Sequence, residues 1–384
     1  MSHETPQHHE QWMRRAIRLA MNGRGRVEPN PMVGCVIVKD GRVIGEGHHQ
    51  QFGGPHAEPN ALAACTESPE GATVYTTLEP CCHTSKKTPP CVPRLIAAKV
   101  SRVVVGCVDP DPAVNGRGIE QLRTAGIEVA PPVVEAECKQ LLAPFIARVV
   151  HERPYVTLKW AETADGKVAG PGGSRLQISN AASMRVTHGL RARCDGIMVG
   201  VRTVMTDDPI LTARGTATPR PLTRIVIDAG LEIPLNGRLV ASAKEFPLLI
   251  YCHPGTRVLH DRVLALITAG AELVTVETAS SGRLSLSSVL ADLGARRLTH
   301  LLVESGPRLS RSFITERLAD RVWVFRSPES LGDAPDAPNA FEVDYPPVGS
   351  LDLAGDTLTE YLNPASPVFF AADPSADFVL AAGS

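Results

Sequence analysis

A chain of 384 residues with a net charge of −2, 43% hydrophobic and 21% charged, has room for two or three domains of roughly 150 residues and lacks the basic excess of a nucleic-acid binder. Its apolar runs fall short of the ~18 residues of a membrane span, and "MSHETPQHHE" has neither the basic nor the apolar region of a signal peptide. Nine cysteines, an odd number, in a leaderless chain predict a reducing, cytoplasmic setting where clustered thiols bind metal rather than pair.

The first element is an amphipathic helix: Met13, Ala16, Ile17, Ala20 and Met21 follow the spacing of one apolar stripe. "MVGCVIV" and "RVIGEG" flank Lys39-Asp40-Gly41 and read as a hairpin with a glycine turn. "HAEPNALAAC" reads as a helix if Pro59 falls in the first turn, where its missing N–H costs nothing. "TVYTTLEP" reads as a strand, "CVPRLIAAK" as a helix, "RVVVGCVDP" as a strand, and "IEQLRTAGIEV" as a helix ending at Gly126 before another strand. The helix in "EAECKQLLAPFIARVVHERP" closes a first domain, residues 1–149, and residues 150–384 form a second. There "YVTLKWAETADG", "GIMVG", "TRIVIDAG", "PLLIYC", "ELVTV", "LTHLLVES" and "RVWVFRSP" read as strands, interspersed with helices over about 180–193 and at "DRVLALITAG". The alternation predicts α/β layers in both halves. "SPESLGDAPDAPNAF" reads as a loop, and "FEVDYP" and "PVFFAAD" as edge strands.

Chemistry concentrates in "GGPHAEPNALAAC" and "TTLEPCCHTSKKTPPC". A zinc ion that activates water takes three protein ligands, keeps a fourth position open, and needs a proton carrier that is not itself a ligand. His56, Cys81 and Cys91 supply the donors, and Glu58 the carrier. Cys91 opens a helix, where backbone N–H groups favour a thiolate. The nucleobase zinc deaminases show H-x-E followed by P-C-x-x-C; here nine residues separate Cys81 from Cys91. Cys82 could replace Cys81. Alternatively, His83 or Cys82 could complete a closed, structural four-ligand site, which leaves Glu58 without a role. Cys65 and Cys107 lie in apolar runs and read as core.

At "NPMVGCVIV", "GGPHAE", "TLEPCCH", "TPPC" and "DPDPAVNGRGIEQLRTAGI" the chain resembles the bifunctional deaminase–reductase of riboflavin biosynthesis. "LKWAETADGKVA", "LRARCDGIMVG", "RTVMTDDPILTAR", "RIVIDAGLEIP" and "LLVESGPRL" extend the resemblance over about residues 12–330. It implies a cytidine-deaminase-like α/β/α domain followed by a dihydrofolate-reductase-like α/β domain. It implies zinc-dependent deamination of 2,5-diamino-6-(5-phosphoribosylamino)pyrimidin-4-one, then NADPH-dependent reduction of the ribosyl chain to ribityl. It also implies a small-molecule substrate, no nucleic-acid or membrane partner, and a homodimer or larger assembly. An enzyme that deaminates but has lost reduction is the alternative.

No G-x-G-x-x-G follows a strand in either half, so the cofactor site rests mainly on the resemblance. "LLVESGPRL" reads as a strand, a turn and a helix, and the turn at Gly306 presents N–H groups to a phosphate. The resemblance assigns Ala161, Thr203, Asp207, Ser305, Gly306 and Leu309 to NADPH, and Ile210, Arg214 and Glu304 to substrate. Arg214 would hold the substrate phosphate, whose oxygens match a guanidinium fork. Asp207 and Asp208 are expected at a turn, and Lys159 could also lie in the pocket. The chain departs from the family at several points. Its spacer between the zinc cysteines is one residue longer, with Lys86 and Lys87 near the family's basic position. Gln177 stands where tryptophan is common, Arg202 where glycine is frequent, Ala229 where serine or threonine is usual, and Ser305 where a glycine is usual.

Overall fold

The structure, a computed structural model, describes residues 6–83, 88–215, 221–256, 260–279, 282–332 and 343–366. The chain divides into two units, Met1–His151 and Glu152–Ser384.

In the first unit the elements are α1 (Pro6–Ala20), β1 (Gly34–Lys39), β2 (Arg42–His48), α2 (Ala57–Ala63), β3 (Thr73–Thr76), α3 (Cys91–Ala97), β4 (Arg102–Val105), α4 (Arg117–Thr124), β5 (Glu128–Ala130) and α5 (Glu135–His151). The sheet order is β2-β1-β3-β4-β5. The β1 strand is antiparallel to β2 and β3; β3, β4 and β5 are parallel. Asp40 and Gly41 both have positive φ, 50° and 73°, the backbone of the tight turn that matches a hairpin's twist. Met13, Ala16 and Ala20 bury one face of α1. Val74, Val92, Leu95, Val103 and Leu122 are fully buried in the core. Gly45 and Gly47 share one face of β2, and α2 lies directly on them. A Cβ at Gly47 would sit 2.3 Å from Ala61 N and 2.6 Å from Ala57 O. Only glycine permits that approach, which sets the position of the α2 N-terminus.

The second unit contains β6 (Tyr155–Glu162), α6 (Ala181–Arg193), β7 (Gly196–Gly200), α7 (Val201–Asp207), β8 (Thr223–Ile227), α8 (Arg238–Ala241), β9 (Leu248–Cys252), α9 (His260–Ala269), β10 (Ala271–Thr275), α10 (Leu286–Ala295), β11 (His300–Val303), α11 (Pro307–Thr315), β12 (Arg321–Arg326), β13 (Pro347–Leu353) and β14 (Asp356–Leu362). The sheet order is β10-β9-β8-β7-β11-β6-β12-β14-β13. Strands β10 through β12 in that order are parallel, and β14 and β13 add an antiparallel edge. Apolar side chains cover both faces: Ile197, Val199, Val226 and Ile250 on one, Leu158, Met198, Val303 and Phe313 on the other. Double burial explains why these strands read as near-continuous apolar runs. From β7 the chain proceeds outward to β10, then returns to insert β11 between β7 and β6. That reversal opens a crevice at the carboxyl ends of β6, β7 and β11, the usual ligand position in an open α/β sheet.

Several expectations need correction. Asp207 is the last residue of a helix, α7, rather than part of a turn, and Asp208 caps it with φ 40°. Of "FEVDYP", residues 343–346 belong to no strand, and the edge hairpin is formed instead by β13 and β14. "PVFFAAD" lies outside the described residues. The short helix α8 and the longer α10, capped by Ser285 accepting from Ser288 N, are additions to the sequence reading.

Candidate functional sites

In the first unit, three chain segments converge. His56 is the extended residue at the N-terminus of α2, and Glu58 lies in that helix's first turn, 3% exposed. Cys81 follows β3, and Cys91 opens α3, whose Cys91 and Val92 N–H groups donate to the Cys81 carbonyl at 3.0 and 3.2 Å. Glu79 anchors this loop: its buried carboxylate accepts from the backbone N–H groups of Asp109, Gly116, Gly118 and Ile119 at 2.8–3.2 Å. It therefore positions Cys81, a role the sequence reading did not give it.

The donor atoms close into a triangle. His56 Nδ1 is 3.4 Å from both thiol sulfurs, and the sulfurs are 3.6 Å apart. Tetrahedral zinc with ordinary bond lengths requires edges of about 3.5 Å for N···S and about 3.8 Å for S···S. The trio fits zinc, and among the described residues no fourth His, Cys, Asp or Glu joins it. Cys82 lies outside the trio and packs against the core. Lys86 and Lys87 fall outside the described residues.

The surroundings prepare these donors. Thr88 Oγ1 lies 3.2 Å from His56 Nε2, fixing the ring from its far side as outer partners of metal-bound imidazoles do. His49 stands edge-on to His56, with ring centroids 5.4 Å apart, and is itself held by the Pro55 carbonyl and the Asn30 amide. The hydrogen bond between the two sulfurs, helped by His56, draws the Cys81 thiol well below its ordinary value, and the same contact together with burial pushes Cys91 up. Burial, with the Cys81 charge adding to it, raises the carboxyl of Glu58 above its ordinary value.

The second unit holds a cavity of about 540 Å³ at the carboxyl ends of β6, β7 and β11, within the ~300–1,000 Å³ usual for ligand sites. Ala161, Thr203, Asp207, Arg214, Glu304, Ser305 and Gly306 line it, as does Lys159. Ile210 is half-buried between the lining residues Pro209 and Leu211 but does not itself form the wall. Leu309 packs into the core beneath α11.

Glu304 is gripped from α6: Arg191 Nε and Nη2 donate to its two oxygens at 2.7 and 2.8 Å, and Arg191 also donates to the Thr212 carbonyl. Burial alone would raise Glu304; the Arg191 charge and hydrogen bonds, with Lys159 and His188 adding to them, hold it at about 2. Desolvation lowers the Lys159 ammonium below the usual lysine value against the pull of Glu304. The Lys159 ammonium also lies 5.2 Å from the centroid of the Phe325 ring. His188 Nδ1 accepts the Arg214 backbone N–H at 3.2 Å. The sequence reading missed Arg191 and His188. Their i, i+3 spacing on α6, off the buried stripe of Val186 and Leu190, is the signal that could have found them.

The cavity suits a phosphate-bearing cofactor. Gly306 is the N-cap of the nine-residue α11, with no side chain capping it. A Cβ there would meet no protein atom closer than Thr203 Oγ1 at 3.8 Å, so the position is a cradle open to the cavity. Five basic side chains, Lys159, Arg175, Arg191, Arg202 and Arg214, line the wall against two carboxylates, Asp207 and Glu304, a balance that favours polyanions.

Comparison with known proteins follows the same division. The family described as cytidine and deoxycytidylate deaminase zinc-binding region matches residues 6–107, and that described as RibD C-terminal domain matches residues 154–345. The riboflavin biosynthesis protein RibD of Aquifex aeolicus (strain VF5) is 40% identical over 322 residues, 84% of this chain and 87% of its own. That of Escherichia coli (strain K12) is 37% identical over 328 residues, 84% and 88%. Among solved structures, the Thermotoga maritima diaminohydroxyphosphoribosylaminopyrimidine deaminase/5-amino-6-(5-phosphoribosylamino)uracil reductase is 33% identical with a TM-score of 0.79, covering 93% of this chain and 99% of its own. Acinetobacter baumannii RibD, form 1, is 30% identical with a TM-score of 0.80 over the same shares. With identity of this size carried across both units, the chain belongs to the RibD family of riboflavin biosynthesis proteins.

Proposed function

We propose that the first unit hydrolyses the amino group from 2,5-diamino-6-(5-phosphoribosylamino)pyrimidin-4-one, and that the second then uses NADPH to reduce the ribosyl chain of the product to ribityl. The observation that carries the reading is the His56–Cys81–Cys91 triangle, sized for zinc, with a buried carboxylate that is not one of its donors two residues from the histidine. Zinc held there supplies a Lewis acid that lowers the pKa of water towards ~7. Glu58 takes a proton from the attacking water on a carboxylate oxygen and returns it to the departing nitrogen, which leaves as ammonia and restores the carboxylate. Thr88 keeps the imidazole in one orientation, and Glu79 keeps the Cys81 loop in place.

In the second unit NADPH supplies a hydride. The open turn at Gly306 receives a cofactor phosphate, with the Thr203 hydroxyl facing it and Asp207 further along the same wall. Glu304, kept ionised by Arg191, accepts hydrogen bonds from substrate hydroxyls, and Arg214 takes the substrate phosphate. Reduction consumes a proton with the hydride, and Lys159, with its lowered pKa, provides it. The chain works in the cytoplasm, a reading supported by nine cysteines that are all free, and the likeness to its family makes it a homo-oligomer.

The test is to incubate the purified protein with the diaminopyrimidine, with and without NADPH, and identify the products. Deaminated product alone without NADPH, and deaminated, reduced product with it, is the expected outcome. Deamination under both conditions with no reduction would leave the second unit inactive; no deamination would sink the first assignment.

A further inference from the structure

We propose that His188 is a positioning residue of the second unit: its ring holds the backbone of Arg214, and thereby the guanidinium that meets the substrate phosphate. The proposal rests on the reading of that unit as a reductase of a phosphorylated substrate. Residues 209–214 follow the cap of α7 and belong to no helix or strand, so no backbone ladder fixes them. Two side chains of α6, three residues apart, do so instead. Arg191 Nη1 donates to the Thr212 carbonyl at 3.2 Å, and His188 Nδ1 accepts the Arg214 N–H at 3.2 Å. Just before them Leu211 has φ 54° and is 4% exposed, a bulky residue kept in the left-handed region by its packing in the core. A segment bent in this way keeps its shape only where its surroundings hold it. The Arg214 guanidinium, by contrast, is exposed and makes no hydrogen bond or ion pair with another described residue. Its backbone is tied down and its charge is left for a ligand.

The contact makes a demand on the ring. An imidazole accepts a hydrogen bond at Nδ1 only while it is neutral with its proton on Nε2. The surroundings favour that form. Burial, then Arg191 on the same helix and Arg214 itself, lower the ring below the ordinary 6.5; Lys159 on β6 adds to them, and Glu304 after β11 opposes them. As pH falls through the lowered value, Nδ1 gains a proton and faces the Arg214 N–H as donor against donor. The segment is then held at the Thr212 carbonyl alone, and capture of the phosphate weakens. The reacting end of the substrate, beside Glu304 and Lys159, is not touched by this change. A ring that met the phosphate directly would behave in the opposite way, binding it more tightly once charged.

The test is steady-state reduction of 5-amino-6-(5-phosphoribosylamino)uracil, and of its dephosphorylated form, by the full chain at saturating NADPH. Asparagine places an acceptor oxygen where Nδ1 stands, glutamine places one where Nε2 stands, and leucine keeps the bulk with no acceptor. At about pH 7.5, His188→Asn should keep KM within about 2-fold of the wild type, while His188→Gln and His188→Leu raise KM for the phosphorylated substrate about 5- to 20-fold with little change in kcat. The same variants should leave KM for the dephosphorylated form as it is. From about pH 7.5 to about 5.5 the wild-type KM should rise relative to that of His188→Asn, a ratio from which the substrate phosphate's own ionisation cancels. Rescue by glutamine instead of asparagine, or a ratio that falls with acid, would place the ring on the substrate and overturn the proposal. Equal losses on both compounds, or a loss confined to kcat, would mean a merely structural ring and overturn it too. A wild-type chain that reduces neither compound would overturn the reductase reading, and this proposal with it.

Discussion

On the proposed reading, Glu58 is the residue that separates binding metal from using it. Glutamine keeps the side chain's shape and leaves the three donors in place, so Glu58→Gln should retain one zinc per chain by atomic absorption while ammonia release falls about 10²–10⁴-fold. A variant that kept its turnover would strip Glu58 of its role. Glu304 answers to a different balance. Its carboxyl sits at about 2 against an ordinary 4.5 because the Arg191 fork outweighs burial. A depressed carboxyl contributes stability that is present above the unfolded value and is lost as pH falls through the folded one; here that is about 3 kcal/mol at neutral pH. The gap in unfolding free energy between wild type and Glu304→Gln should therefore hold from pH 7 to about 5 and close as pH falls towards 2. A gap that stayed constant down to pH 2 would show that the ion pair does not set it. That His56, Cys81 and Cys91 come together was legible because the three lie close in sequence. The choice of Cys81 over Cys82 was not, since it depends on how the loop after β3 turns. Glu79 fixes that turn through four N–H groups at positions 109 to 119, too far along the chain for a spacing argument to reach. Arg191 stayed hidden for a similar reason: its partner is 113 residues away and meets it only across the sheet.

Among the elements, α2 carries the most function for its length. Seven residues are too few to stabilise a helix alone, so its position comes from packing on β2. Gly47→Ala would push a methyl group into the backbone of Ala57 and Ala61 and lift the N-terminus that holds His56 and Glu58. The expected cost is about 1–3 kcal/mol in urea unfolding, together with weaker zinc retention in a chelator competition. A destabilised variant that still held zinc at wild-type affinity would mean that α2 can shift without moving its first turn. In the sequence, "GEG" within a strand signals a close backbone approach, but it does not say which element approaches. The parallel strands were legible because both faces are buried and their runs are apolar throughout. The β13–β14 hairpin was not: "PVGSLDL" at the sheet edge is mostly half-buried or exposed and contains a glycine, so it shows neither a continuous run nor a clean alternation. Helix α7, "VRTVMTD", is two turns of mostly β-branched residues with only Val204 buried, too short to display a helical period.

At the scale of the molecule, each proposed chemistry draws its residues from one unit. His56, Glu58, Cys81 and Cys91 belong to the unit ending at His151, and every lining residue of the 540 Å³ cavity belongs to the unit starting at Glu152. Each sheet has its own buried core, so stabilisation by a bound group is added to the unit that holds it. Metal removal is the perturbation that separates them. With zinc stripped by a chelator, the protein given the diaminopyrimidine and NADPH should form neither product, because the second step has nothing to act on. Given 5-amino-6-(5-phosphoribosylamino)uracil and NADPH, the same protein should oxidise NADPH at its original rate, and added zinc should restore deamination. Parallel loss of both activities on chelation would instead mean that the cavity of the second unit depends on the ordered loops around His56, and the functional independence of the two sites would have to be abandoned.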